Sequence, residues 1–500
     1  MRDDTIEMAR GINMVQNILV KKTVIFSVII LLIGAQALLV SADGSTVVNG
    51  SIIYVDDDNT EGPWYGTIEH PYQTIQDGIS HACAGDTVFV FSGLYHSSMS
   101  YGFVSIQEDI TLEGEDPQTT IIQGGGVYGE KWVVGISSEE GSPKISNFTI
   151  ENSGTDIHDA GILVNANNVI ITNNIIKNNQ LGIYFSYTKH QYGAIISGNT
   201  IEDNKDGIFM WDASGNIIYA NIIQNNVFDG VEIIYSSNNN VVMRNTITGH
   251  TFDGESEGVL LKESTGNLIS ENNIYDNRID AYFENAFFNK WDNNYWGESR
   301  IFPKLIVGRK YLGGGPMEPG FPLILLKLDW HPAIESHGII QNPIAVMNTT
   351  LGTMKLILYE DKVPITTNNF IRLSNDGFFD DLVFHRVIED FVIQGGGYDS
   401  SGSHHESPYG TIDLEIHPDV RHVDGAISMA RTSDPNSATS QFFICDGKQA
   451  YLDDEYAAFG RILIGMDVLK TIASVETTTK HGMQDWPVEE VIINSVAIAQ

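Results

Sequence analysis

Cysteine is nearly absent. Only Cys83 and Cys445 occur in 500 residues, far apart in the chain, so no disulfide framework holds the fold and no cysteine-built metal centre is available. Both are expected to be buried thiols. Basic residues are scarce too, with 28 Lys and Arg against 64 Asp and Glu and a formal charge of -36. Such a surface repels phosphate backbones and anionic lipid headgroups, which argues against a nucleic-acid partner and suits solubility in a salty medium or loose cation binding. Long apolar runs are missing with one exception. From Thr23 to Val40 no charge occurs; Lys21 and Lys22 precede the run and Val40-Ser41-Ala42 ends it. That order is the grammar of an export signal, predicted to be cleaved after Ala42, with an uncleaved membrane anchor as the alternative. In both cases the lysines stay inside and the chain beyond Asp43 is exported.

What is present suits folded domains. Apolar residues make up 42% and charged residues 18% of the chain, enough to bury cores, and 500 residues exceed what one core organises. Between Gly44 and Trp296 helix periodicity is almost missing and a motif recurs: Asn-x-Ile or a variant, a polar turn, then Gly and a short apolar stretch. Asn147, Asn174, Asn199, Asn221, Asn245 and Asn273 open successive units at spacings of 27, 25, 22, 24 and 28 residues. Gly161, Gly182, Gly207, Gly230 and Gly258 keep step. A unit this short cannot bury its own apolar face, but units stacked about 4.8 Å apart make parallel sheets round a shared core. Asn at the turns suits left-handed backbone geometry and can bond its counterparts as a ladder. Asp206, Asp229 and Glu257 each precede a unit glycine, so stacking predicts a carboxylate column, read first as a solvated turn edge and otherwise as a calcium or acid/base site. The histidines here, His70, His81, His96, His158, His190 and His250, are scattered rather than clustered for copper.

Several stretches resemble right-handed parallel β-helix proteins of the pectate-lyase-like superfamily, especially the periplasmic copper-binding type linked to nitrous oxide reductase maturation. Tyr54-Val55-Asp56-Asp57-Asp58, Pro71 to Gln76 and Ala84 to Val88 are similar to the N-terminal cap of such helices; Trp291 to Gly297 and Asp329 to Ala333 are similar to their closing segment. The resemblance implies architecture and leaves activity open. Pro303, Pro316, Pro319, Pro322 and Pro332 with Gly313-Gly314-Gly315 predict irregular closing structure and then a linker. The expected division is an export segment over 1–42, a β-helix over 44–333, a linker over 334–341 and a second domain over 342–500, each folded domain with its own core.

From Ile344 alternating strands appear, then a helix opening at Pro364 and ending near Gly377, and a later helix from about Met466 to Ala473. Phe384-His385-Arg386-Val387-Ile388, Phe391-Val392-Ile393-Gln394-Gly395-Gly396-Gly397, Ser428-Met429-Ala430-Arg431 and Ser440-Gln441-Phe442-Phe443-Ile444 occur in that order. These runs resemble cyclophilins of the bacterial type, as do Asp434 to Thr439, the Phe459-Gly460 step and the closing strand at Val491. The resemblance implies an eight-stranded antiparallel barrel capped by two helices, so the whole chain is expected to be mainly β: a parallel β-helix followed by that barrel. It implies a peptidyl-prolyl cis/trans isomerase without metal or cofactor. Arg386 matches the catalytic arginine and Gln394 the glutamine that positions substrate. Phe391, Phe443 and Leu452 match the proline pocket, Val392 a further substrate-binding position, Ala430 and Arg431 the substrate-pairing backbone, and Gln441 the groove lining. Tyr451 and Tyr456 stand in the groove where many members have tryptophan and histidine, and the first departure removes a residue that supports cyclosporin affinity in the family. Cys445 is expected in the core and His404, His405, His417 and His422 on the surface. The expected partners are proline-containing segments of exported proteins and, through the β-helix, a cell-surface polysaccharide.

Overall fold

The computed structural model describes residues 50–96, 104–126, 131–254, 256–312 and 321–499. Residues 1–42, expected to direct export, lie outside the described residues. Among the described residues no helix is long and apolar enough to cross a membrane.

The repeats wind into a solenoid of three stacks of parallel strands, one strand from each turn joining each stack. In-register pairing puts like residues above one another. Ile150, Ile176, Ile201, Ile223, Ile247 and Ile274 form one buried column, and Ile162, Ile183, Ile208, Val231 and Val259 form another. Each coil thus covers the apolar face of the next, which no single repeat could do. The glycines keep step for a steric reason. A Cβ on Gly207 would lie 2.4 Å from the Gly230 carbonyl oxygen, and one on Gly182 would lie 2.5 Å from that of Gly207.

The asparagine ladder differs from the expected alignment at both ends. It runs Asn174, Asn199, Asn221, Asn245, Asn272 and Asn294, each Nδ2 donating to the next side-chain oxygen at 2.9–3.2 Å. Asn273 is one place off. At the other end Phe148 takes the rung, its N–H donating to Asn174 Oδ1 at 3.0 Å, while Asn147 adopts a left-handed φ of 65°. The left-handed position and the ladder position are neighbours, and a run of asparagines does not say which is which. The left-handed place tolerates Asn173, Ala220, Arg244 and Glu271; the ladder place needs an amide. Asp329 ends the ladder, accepting from Asn294 Nδ2 at 3.1 Å and from Trp296 Nε1 at 3.1 Å.

At the start, helix α1 (Ile75–His81) buries Ile75 and Ile79 over the first coil, with Thr74 Oγ1 accepting from the Asp77 N–H. Cys83, expected to be buried, is exposed. It sits in the turn after α1, its N–H donating to Asp86 Oδ2 at 2.8 Å. The segment expected to be irregular contains a regular antiparallel hairpin, β1 (Lys304–Leu312) and β2 (Phe321–Asp329). Prolines and glycines concentrate between the strands, whose own sequences are rich in Leu, Ile and Val.

The second domain is an antiparallel sheet of β3 (Ile344–Thr349), β4 (Gly352–Leu358), β5 (Arg386–Ile388), β6 (Val392–Gly395), β7 (Ala426–Met429), β8 (Phe442–Cys445), β9 (Ala458–Ile464) and β10 (Ile493–Ala499), in the order β5-β6-β8-β7-β9-β4-β3-β10. Its ends meet through Val383 and Ile492, with the Phe384 N–H donating to the Val491 carbonyl at 3.0 Å. Helices α2 (Pro364–Asn375) and α3 (Met466–Ala473) close the barrel over a core that includes Phe370, Phe379, Phe442 and Phe459.

The two domains also share a core, which the expectation of separate ones did not include. From Ser51 onward the chain is one compact unit. Ile195, Ile217, Tyr219, Val241 and Met243 of the solenoid cluster with Ile344, Ile357 and Ala499 of the barrel. Tyr219 Oη donates to the Ile340 carbonyl at 2.8 Å and accepts from the Asn342 N–H at 3.2 Å. Glu271 lies between Arg244 at 2.9 Å and Arg461 at 3.3 Å. Burial alone would raise its carboxyl, but Arg461 and Arg244 outweigh that and hold it below the usual glutamate value.

Candidate active site

Strand alternation assembles the groove. Arg386 pairs with Gln394 across the β5–β6 hairpin, Gln394 with Phe443 across β6 and β8, and Phe443 with Ser428 across β8 and β7. Paired residues share a face, so one row across four strands carries the guanidinium, the amide and the aromatic ring. Phe391 stands on the β5–β6 turn with its ring 5.7 Å from the Arg386 guanidinium. Leu452 comes from a single 3-10 turn, Ala450–Leu452. Arg386, Phe391, Val392, Gln394, Ala430, Arg431, Phe443, Leu452 and Tyr456 line one cavity of about 210 Å³.

Two expected groove residues stand outside that cavity. Gln441 reaches it through Gln394, whose Nε2 donates to Gln441 Oε1 at 3.1 Å. Tyr451 is 66% exposed at the rim and stacks on Phe391 at 6.2 Å. Arg431 donates to the Glu455 carbonyl at 2.9 Å and lies 4.6 Å over the Tyr456 ring, which meets Phe443 edge-on at 5.8 Å. The pocket wall is therefore braced from behind.

His422 was expected on the surface and is buried. Its Nδ1 pairs with Asp453 Oδ1 at 2.9 Å, its Nε2 with Ser428 Oγ at 3.0 Å, and its ring stacks on Phe443 at 5.9 Å. Burial lowers its pKa, with Asp453 opposing, so the ring beneath the pocket favours its neutral form. The sequence offered no period to reveal this, since its partners come from three separate segments. A second neighbour also escaped the sequence: Asp485 lies 3.9 Å from Arg386 Nε, both side chains about two-fifths exposed. Cys445 is fully buried as expected, and burial pushes its thiol up to about 12, which makes it inert.

In the solenoid, the expected carboxylate column forms. The Asp229 N–H donates to Asp206 Oδ1 at 3.1 Å and the Glu257 N–H to Asp229 Oδ1 at 2.7 Å. It is not a solvated edge, because Asp229 and Glu257 are buried. Burial, the largest cause in each case, raises Asp206 to about 6 and Glu232 to about 8, and with Glu232 and Glu257 nearby it raises Asp229 as well. Among the described residues, Asp206, Asp229 and Glu232 are the one group of three or more His, Cys, Asp or Glu with potential ligand atoms within 4.8 Å of one another. His250 belongs to a structural ladder instead, between Asn226 Nδ2 at 3.3 Å and Asn277 Oδ1 at 2.8 Å.

Residues 84–315 match the family model described as periplasmic copper-binding protein (NosD). The donors present do not fit copper, since three hard carboxylates without imidazole or thioether suit calcium-type ions. Residues 344–498 match the model described as cyclophilin type peptidyl-prolyl cis-trans isomerase. A peptidyl-prolyl cis-trans isomerase of Acinetobacter baylyi is 38% identical over 170 residues, covering 33% of this chain and 89% of the relative. The isomerase cyp18 of Streptomyces antibioticus is 39% identical over 160 residues, covering 30% and 96%. The crystal structure of a Cryptosporidium parvum cyclophilin type isomerase, obtained in the presence of the dipeptide ala-pro, is 33% identical, covers 31% of this chain and 98% of that one, and aligns with a TM-score of 0.29. With the relatives matched over nearly their full length, this chain belongs to the cyclophilin-type peptidyl-prolyl cis/trans isomerases, carried on a NosD-like β-solenoid.

Proposed function

We propose that the chain is an extracytoplasmic isomerase that accelerates proline-limited folding of exported proteins, with Arg386 and Gln394 as its catalytic pair. The observation that carries this reading is Arg386, Gln394, Phe391 and Phe443 around one cavity. Rotation about an X-Pro bond faces a barrier of about 20 kcal/mol because amide resonance is lost at the twisted state. Twisting localises a lone pair on the proline nitrogen, and a guanidinium donating to it favours the transition state over either ground state. Bringing tens of seconds to milliseconds requires about 10⁴-fold, or about 5.5 kcal/mol. One charge-assisted hydrogen bond supplies about 1.5–3 kcal/mol, leaving the rest to clamping of the ring by Phe391, Val392, Phe443 and Leu452 and to exclusion of water. Gln394 and Gln441 orient the carbonyl side of the peptide, the backbone of Ala430 and Arg431 pairs with the extended chain, and Tyr451 and Tyr456 border it. The step uses no metal or cofactor.

Export is supported by the signal grammar of residues 1–42 and by the likeness of the solenoid to a periplasmic family. On this reading 44–333 is the displaying solenoid, 334–341 the linker and 342–500 the isomerase. The test is NMR exchange on an Ala-Pro peptide with the full chain. Acceleration of the cis/trans exchange supports catalysis; peptide binding without acceleration contradicts it and leaves a docking module.

A second reading concerns the solenoid alone, and one observation favours it. Tyr187, Trp211 and Tyr235 come from successive coils with ring centroids 5.4 and 4.8 Å apart, beside a cavity of about 450 Å³ that includes Trp132, His158 and Tyr184. Such a row suits stacking of a cell-surface polysaccharide. Glycan-array binding that disappears with Trp211→Ala would support it, and unchanged or absent binding would count against it.

A further inference from the structure

The hairpin of β1 and β2 inverts two properties of the rest of the chain. Its inner face packs on the solenoid core through Ile306 and Leu325. Its outer face is apolar yet open to solvent: Leu305 is 55%, Val307 48%, Ile324 71% and Leu326 58% exposed. Cross-strand pairing of Val307 with Leu326 and of Arg309 with Ile324 makes this one continuous patch. Charge also changes sign. Residues 300–329 hold Arg300, Lys304, Arg309, Lys310 and Lys327 against Glu318 and Asp329, in a chain with 28 basic and 64 acidic residues. Asp329 is buried at the end of the asparagine ladder and Lys304 pairs with Asp280 at 3.1 Å. Arg309 and Lys310 stand toward the far end of β1, Lys310 lying 5.2 Å over the Phe287 ring beside Phe288, which is 85% exposed.

We propose that this hairpin seats the protein on an anionic lipid surface. By strand alternation Arg309 shares the face of Val307, Ile324 and Leu326, while Lys310, paired with Leu323, projects from the other face at the same end; exposed Ile, Leu and Val edged by such cations is the composition that enters a headgroup boundary, apolar groups into the acyl edge and cations to the lipid phosphates. A second copy of this chain is a poorer occupant, because packing two such patches together opposes their cations. The acidic excess of the rest of the described chain is repelled by the same lipids, so among the described residues this end is favoured to approach. The inference is independent of catalysis.

The test uses the full chain with Cys83→Ser and a single environment-sensitive fluorophore at Ile324→Cys, or at Tyr192→Cys as the control. Tyr192 is 51% exposed, on a different sheet from the hairpin, and Cys445 is fully buried. Added to phosphatidylcholine vesicles containing phosphatidylglycerol, the label at 324 is expected to shift to the blue and be quenched by lipid-borne spin labels, while the label at 192 stays unchanged. Arg309→Glu with Lys310→Glu should weaken vesicle partitioning of the 324 site by at least roughly tenfold, with prolyl turnover retained as the check on folding. Because the readout is local, lipid insertion of residues 23–40 does not mimic it. No shift at 324, an equal shift at 192, or a shift at 324 that needs protein concentration and no vesicles would each overturn the proposal, the last in favour of a second copy.

Discussion

Residues in this molecule do two kinds of work, and Tyr451 separates them. It stands at the rim on Phe391, outside the cavity that Arg386 enters. Tyr451→Trp adds an indole N–H and apolar contact there, so cyclosporin inhibition should tighten by about tenfold or more while peptide turnover changes by less than about threefold. A nanomolar inhibition constant in the parent protein would contradict that placement. Two buried histidines contribute to the acid response. Burial lowers His250 and His385 to about 4, below the unfolded value of about 6.5, so the unfolded chain binds more protons in between. The stability they contribute is complete above about pH 6.5 and is lost as pH falls toward about 4. His250→Asn places an amide in an amide ladder, and its unfolding midpoint should fall less between pH 7 and pH 4.5 than the parent's; parallel curves would refute the linkage.

Elements follow from stacking more than from propensity. Asn221 donates through Nδ2 to Asn245 Oδ1 at 2.9 Å and to the Ile196 carbonyl at 2.9 Å, and accepts from Asn199 Nδ2 at 3.0 Å. Asn221→Leu fills the volume but leaves carbonyl and amide groups of two coils unpaired, at a cost of about 2–4 kcal/mol in chemical denaturation. A loss below about 1 kcal/mol would mean the ladder is decorative. The solenoid was legible because a repeat prints its period into sequence: column residues recur as isoleucines and glycines with a steric reason at each. The rung itself was not, since Asn147 and Asn273 look like ladder members and only register shows that they are neighbours of the ladder position. The hairpin was hidden by the prolines and glycines that crowd the sequence between its strands. In the barrel, consecutive motifs such as Phe391 to Gln394 were readable, whereas His422, Asp453 and Ser428 meet only through folding.

At the scale of the whole molecule, the shared cluster makes the two domains one unit. Its residues, Ile195, Ile217 and Ile357 among them, are ordinary strand isoleucines in sequence, so nothing marked them as an interface. Arg461→Ala leaves half-buried Glu271 with Arg244 as its remaining close cation, which should lower barrel stability by about 1–3 kcal/mol and leave turnover within about twofold, as Arg461 is not among the cavity-lining residues. Unaltered stability would show that the domains merely touch. Whether Arg386 supplies the electrostatic part of prolyl catalysis is decided by exchange rates of an X-Pro peptide with the full chain and with Arg386→Ala, each checked for an unchanged unfolding midpoint. Turnover is expected to fall by about 10²-fold or more; a folded Arg386→Ala protein that turns over peptide at the parent rate would rule out that role for Arg386.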